Sequence, residues 1–173
     1  MITKADTGFS KIEKLSKTHE LNQFSCGHDS LDEWLKKYAL SNQVGESAKT
    51  YVTTRSNAVV GYYALMAGSI HVERSSTRAA KGQPRNGAVP IALLARLAVD
   101  QTCQGQGLGT ALLKDALIRC ANAADVIGVR AVLVHALDEE ARRFYQRFDF
   151  EESPADGMTL MLMMKDIRAE LAD

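Results

Sequence analysis

The residues best suited to chemistry stand in one short stretch, Gln104-Gly105-Gln106-Gly107-Leu108-Gly109-Thr110, between an apolar run and a helix-patterned one. Glycine lacks the Cβ that would hold a ligand away, so successive backbone N–H groups can converge on an anion at a helix start. A phosphate or pyrophosphate is the natural guest. The Walker A pattern fails, because Lys114 lies five residues beyond the last glycine. The dinucleotide fingerprint also fails: Gly105-x-Gly107-x-Gly109 brings its last glycine one residue early. A third pyrophosphate pattern, Q/R-x-x-G-x-G/A, is met by Gln104, Gly107 and Gly109. Elsewhere, Arg74, Arg78, Lys81 and Arg85 give the Ile70–Pro90 stretch a net +3, which reads as either a solvated loop or a local anion-binding patch. His19, His28, His71 and His135 are scattered without ligand spacing, so no metal is expected. Cys26, Cys103 and Cys120 form no C-x-x-C pair and read as reduced thiols.

The elements that must position these residues follow from periodicity. Leu31, Trp34, Leu35 and Tyr38 recur at helical spacing behind Asp29-Ser30, which reads as the N-cap. Lys49–Arg55 and Ala58–Gly68 flank Ser56-Asn57, the signature of a β-hairpin. Ile91–Val99 is nearly all apolar, as in a strand covered on both faces. Leu108–Ile127 reads as a long helix closed by Gly128, and Val129–Ala136 as a strand. Asp138 caps a short helix over Glu139–Arg147, and Phe148–Glu151 and Met158–Lys165 read as two strands joined through Ser153-Pro154. The expected fold class is α/β, a mixed and mostly antiparallel sheet of about six strands flanked by helices.

The chain has 173 residues, with 21 basic and 21 acidic side chains and a pI near 6.9. That length fits one domain, 1–173, with a core large enough to need no disulfide or metal. A zero net charge argues against coating nucleic acid by bulk electrostatics. No apolar run reaches membrane-spanning length, and the start Met1–Asp6 lacks the apolar core of a signal peptide, so a cytoplasmic protein is expected.

The Gln104–Gly109 loop resembles the pyrophosphate loop of the acetyl-coenzyme A–dependent N-acetyltransferases of the GNAT superfamily. Ala141-Arg142-Arg143-Phe144-Tyr145-Gln146-Arg147-Phe148-Asp149-Phe150 resembles that superfamily's A-x-x-F-Y-x-x-x-G-F element, with Asp149 where glycine is usual. The two motifs lie 36 residues apart, from Gly109 to Tyr145. Phe24–Leu35, Leu93–Asp100 and Val134–Leu137 are further similar to the GNAT toxins of bacterial type II toxin–antitoxin modules, over nearly the whole length from Ile12 to Ile167. The resemblance implies a toxin that acetylates the α-amine of an aminoacyl-tRNA and so blocks translation. It also implies a homodimer, neutralised by a ribbon-helix-helix antitoxin and reaching operator DNA only through that antitoxin.

The resemblance implies roles as well. Acetyl-CoA is the donor, held by Gln104, Gly105, Gln106, Gly107, Leu108, Gly109 and Thr110, with a backbone N–H at Leu97, Ala98 or Val99 polarising the thioester carbonyl. Tyr145 is the general acid for the departing thiolate. Ile91–Val99 offers no carboxylate base. An α-amine with a pKa of about 8 is roughly a tenth neutral near pH 7, so water can accept its proton; His135 is an alternative base or a structural residue. Arg74, Arg78, Lys81 and Arg85 are the expected tRNA patch through phosphate contacts, since Asp138–Glu152 carries a net −3. Arg96, inside the apolar strand, serves the core, a dimer interface or a phosphate. The competing readings are a small-molecule or protein N-acetyltransferase, and a non-catalytic module that binds coenzyme A or a protein partner.

Overall fold

A computed structural model describes residues 8–173, and the Met1–Asp6 start read above lies outside the described residues. Seven strands, β1–β7 in chain order (Glu13–Lys14, Lys49–Arg55, Ala58–His71, Ala88–Val99, Ala131–His135, Glu151–Ser153 and Asp156–Met163), form one sheet in the order β1-β2-β3-β4-β5-β7-β6. The chain divides into two compact units, one of residues up to Leu65 with Arg96–Asp115, the other of Met66–Ala95 with Ala116–Asp173. β3 (Ala58–His71), β4 (Ala88–Val99) and α4 (Leu108–Ala124) each contribute to both.

In the first unit, β1 (Glu13–Lys14) pairs antiparallel with β2 (Lys49–Arg55), and β2 with β3. The hairpin is the expected one: Ser56 and Asn57 both take positive φ, 50° and 67°, as a two-residue turn matched to strand twist requires. α1 (Asp29–Lys37) and α2 (Ala39–Val44) follow one another, split at Tyr38. The expected Asp29-Ser30 cap is absent. His28 is the N-cap and gives no side-chain bond, while Asp32 reaches back to accept from the Cys26 N–H at 2.9 Å. Leu35, Phe24, Tyr62, Val52 and Ala98 form the core here, with Leu31 and Trp34 packed on it. That sets the amphipathic face of α1 against the sheet.

In the second unit, β4 and β5 (Ala131–His135) run parallel from Ile91↔Ala131 to Leu94↔Val134. β7 (Asp156–Met163) pairs antiparallel with β5, and β6 (Glu151–Ser153) with β7. The structure shifts the expected Phe148–Glu151 strand downstream, because Asp149 takes φ 67° at the exit of α5 (Glu139–Gln146) and only then does the chain extend. α5 begins as expected, Asp138 accepting from the Ala141 N–H at 2.8 Å. The stretch expected as loop holds a 3₁₀ turn at Val72–Arg74 and a one-turn helix, α3 (Thr77–Ala80), capped by Ser76. The Met158–Lys165 strand stops at Met163, where α6 (Met164–Ala172) begins and buries Met164 and Ile167. α4 ends at Ala124, short of the expected Ile127. Val89, Ile91, Ala131, Leu133, Met161 and Met163 form the second core. Among the described residues, no helix is long and apolar enough to cross a membrane.

Candidate active site

The glycine loop is built in the first unit by a buried carboxylate. Asp100, 7% exposed, follows β4 and is fixed by its own N–H donating to Val60 O at 2.8 Å. One carboxylate oxygen accepts from the Ser25 N–H at 2.9 Å; the other accepts from the Thr102 N–H at 3.0 Å and the Thr102 hydroxyl at 2.7 Å. It thereby caps the 3₁₀ turn Gln101–Cys103 and staples it to the segment before α1. Burial alone would raise the Asp100 pKa; the bonds from Ser25 and Thr102, with the charge of Lys36, outweigh it and hold the carboxyl below its ordinary range. Sequence reasoning assigned Asp100 no role, although an acid directly after a strand and two residues before Thr102 is a recognisable capping pattern.

Gln104 continues the same join. Its side-chain amide donates to Cys26 O at 3.1 Å and to Val99 O at 3.0 Å. Beyond it, Gly105 and Gly107 take φ +75° and +80°, in the left-handed region that other residues avoid. A Cβ built at either glycine meets nothing within 4 Å, so backbone conformation calls for glycine here, and the space beside the loop is open. Gly109 and Thr110, half-buried, lie in the first turn of α4, and Leu108 is buried under it. The close seat of α4 explains a glycine that sequence reading passed over. A Cβ on Gly61 of β3 would approach Leu112 at 3.0 Å, Thr53 at 3.2 Å and Leu108 at 3.3 Å. On the preceding strand, Ala98 is buried, and Leu97 and Val99 are half-buried.

Arg96 has a defined partner. Its guanidinium lies 4.2 Å above the Trp34 ring, which stacks on Tyr62, whose hydroxyl donates to Leu31 O at 2.7 Å. Of the three roles open to it, ordering the core of this unit is the one its contacts show, a cation–π contact with partial burial that lowers its pKa.

In the second unit, Tyr145 sits on α5 between Phe144 and Phe150, 7% exposed. Its hydroxyl has no hydrogen-bond partner among the described residues, and burial pushes the phenol well above its ordinary pKa. At neutral pH it is a protonated donor, the state a general acid needs. The expected cationic patch separates into parts. Arg78 is committed: it grips both oxygens of Asp166 at 2.7 and 3.0 Å and Glu151 at 3.1 Å. Arg78 and Lys81 line a groove with Arg130, Lys165 and Arg168, three cations that the reading of Ile70–Pro90 could not include. Arg130 anchors this segment by donating to Ala79 O at 2.7 Å and Lys81 O at 2.9 Å. Arg74 lies apart, lining a second cavity with His135, and Arg85 is an exposed residue on neither. No cluster of three potential metal ligands occurs among the described residues.

Residues 46–152 match the acetyltransferase (GNAT) domain family. A tRNA-acetylating toxin of Mycobacterium tuberculosis is 48% identical over 167 residues, covering 96% of this chain and 99% of the relative. The structure of AtaT complexed with acetyl-methionyl-tRNAfMet superposes with a TM-score of 0.85 at 26% identity, covering 94% of this chain and 99% of that one. The structure of AtaTR bound with AcCoA gives 0.78 at 25% identity, covering 94% and 98%.

Proposed function

The chain belongs to the GNAT acetyltransferase family, and on that premise we propose that it transfers an acetyl group from acetyl-CoA to the α-amine of an aminoacyl-tRNA. The observation that carries the donor half is the Gln104–Gly109 loop, with two glycines at positive φ and open space beside them. Backbone N–H groups free of any Cβ can there meet the pyrophosphate of coenzyme A. The acceptor half is supported by the M. tuberculosis relative, a tRNA-acetylating toxin that this chain matches along 99% of that protein's length. The protein is accordingly read as a cytoplasmic toxin that blocks translation. We propose one GNAT domain over 1–173, a homodimer, and neutralisation by a ribbon-helix-helix antitoxin through which the pair reaches operator DNA.

In this reading the neutral amine attacks the thioester carbon while a backbone N–H at Leu97, Ala98 or Val99 holds the carbonyl oxygen. Tyr145, kept protonated by burial, delivers its proton to the departing sulfur. Lys81, Arg85 and Arg74 contact tRNA phosphates, and Arg78, held by Asp166 and Glu151, contributes least. The test is incubation with labelled acetyl-CoA and a pool of charged tRNAs. Label is expected on the aminoacyl group, with near-complete loss for Tyr145→Phe and little change in melting temperature. Label on a polyamine, antibiotic or protein but on no aminoacyl-tRNA would refute the reading.

A further inference from the structure

The second unit contains a cavity of about 300 Å³ that the reading above leaves unassigned. Ile91 and Leu93 of β4, Leu133 of β5 and Ile70 of β3 supply apolar walls, and His135, Thr159, Asp156 and Arg74 supply polar groups. Ile91 with Leu93, and Leu133 with His135, are alternate residues and share a face of their strands. The pairing of β4 with β5 ends at Leu94↔Val134, so His135 stands at the carboxyl end of the parallel pair. That end is where parallel sheets receive ligands.

The hydrogen bonds at this end define which ring nitrogen carries the proton. Asp156 accepts from the Met158 N–H at 2.9 Å and from the Thr159 hydroxyl at 3.0 Å. Those two bonds, in that order, hold its carboxyl below the ordinary range, so at neutral pH it is a carboxylate and only accepts. The single hydroxyl proton of Thr159 is therefore spent on Asp156. Its oxygen, 3.0 Å from His135 Nδ1, can only accept. Nδ1 therefore carries a proton, and in the neutral ring Nε2 keeps its lone pair, with no hydrogen-bond partner among the described residues. A chain of carboxylate, hydroxyl and imidazole thus orients a base, as a carboxylate does directly in hydrolase triads.

We infer that this cavity seats the acceptor amine and that His135 Nε2 takes up the proton the amine loses on acetylation. The inference rests on the aminoacyl-tRNA reading above and adds its missing base. The amine nitrogen bonds to the acetyl carbon, the C–S bond breaks, and the sulfur takes the Tyr145 proton. The nitrogen's proton passes to His135, and solvent then returns His135 and Tyr145 to their starting states. The charged or titratable groups lining the cavity with His135 are Arg74, His71 and Asp156; the β4 and β5 walls add none. Arg74 disfavours a bound ammonium and so favours the amine that attacks.

The test follows acetylation of a charged-tRNA pool from pH about 6 to 9 by His135→Gln and Thr159→Val, with acetyl-CoA titration calorimetry and thermal melting alongside. Gln keeps hydrogen-bonding capacity but takes no proton. Its kcat near pH 7 is expected to fall about 10²-fold, with acetyl-CoA affinity and melting temperature unchanged. Its rate should then climb up to about tenfold toward pH 9, as the amine loses its proton unaided. Thr159→Val, which unfixes the imidazole, is expected to lose about tenfold, and Thr159→Ser to recover it. A His135→Gln enzyme with wild-type kcat and pH profile overturns the assignment, as does a loss matched by equal losses in melting temperature and acetyl-CoA binding. A wild-type protein that labels no aminoacyl-tRNA at all overturns the function itself, and the base with it.

Discussion

Replacing Asp100 by alanine removes a carboxylate that accepts three hydrogen bonds, from the Ser25 N–H, the Thr102 N–H and the Thr102 hydroxyl. The Thr102 hydroxyl turns to water, so it adds little. Loss of the cap on the 3₁₀ turn costs about 1 kcal/mol. The Ser25 bond, to a charged and buried acceptor, contributes about 1.5 kcal/mol, at the low end because Ser25 itself is exposed. The expected total of about 2.5 kcal/mol lowers the melting temperature by about 5–10 °C for a chain of this size. Asp100→Asn keeps one oxygen but turns an NH₂ toward a donor, and should recover no more than about half. The pKa of Asp100 is depressed in the fold, so its contribution is complete above the unfolded value of about 3.9 and disappears as pH falls through the folded one. Urea denaturation at descending pH should therefore show the wild-type advantage over Asp100→Ala shrinking only on the acid side. Acetyl-CoA titration should show weaker binding in the same variant, because the turn it loosens leads into Gly105 and Gly107. A variant that melts within about 1 °C of wild type and binds acetyl-CoA equally well would refute the staple.

Two further outcomes are expected. Asp149→Gly relieves a positive φ at the exit of α5 and should gain about 0.5–1 kcal/mol, or about 1–4 °C in melting temperature, with acetylation unchanged; a lower melting temperature would contradict the strain. Lys81→Glu and Arg85→Glu should each weaken charged-tRNA binding and reduce its salt slope by about 1. Arg78→Ala, whose charge is already met by Asp166 and Glu151, should move binding least in filter binding across a salt series.

Sequence patterns revealed local structure where a short-range device specifies it. The Ser56-Asn57 hairpin and the Asp138 cap are such cases, each decided within four residues. The glycine loop was legible for the same reason, since Gly105 and Gly107 stand where the backbone turns left-handed. Long-range partners left no such mark. Asp100 lies 75 residues from Ser25, and Arg78 lies 88 from Asp166, so a neutralised arginine looked like a free one. The methionine-rich run from Met158 has neither a strand nor a helix period, which let the reading pass over the start of α6 at Met164. His135 was visible as a candidate, but its tautomer depends on Thr159 and Asp156, two strand-end residues that only the β5–β7 pairing brings to it.

The three cysteines, all free and all buried, take on a further meaning in an enzyme that handles a thioester. A thiolate is the strongest competitor an amine can face for an activated acetyl group. Burial, with Asp32 beside it, pushes the Cys26 thiol up to about 11, and burial pushes Cys120 up to about 12. Near pH 7 about one Cys26 in ten thousand is ionised, and Cys120 less often. Cys103 is wholly enclosed behind the Asp100 turn. The donor therefore meets no exposed thiol: the same packing that builds the cores protects these sulfur atoms from the reagent the fold is shaped to hold.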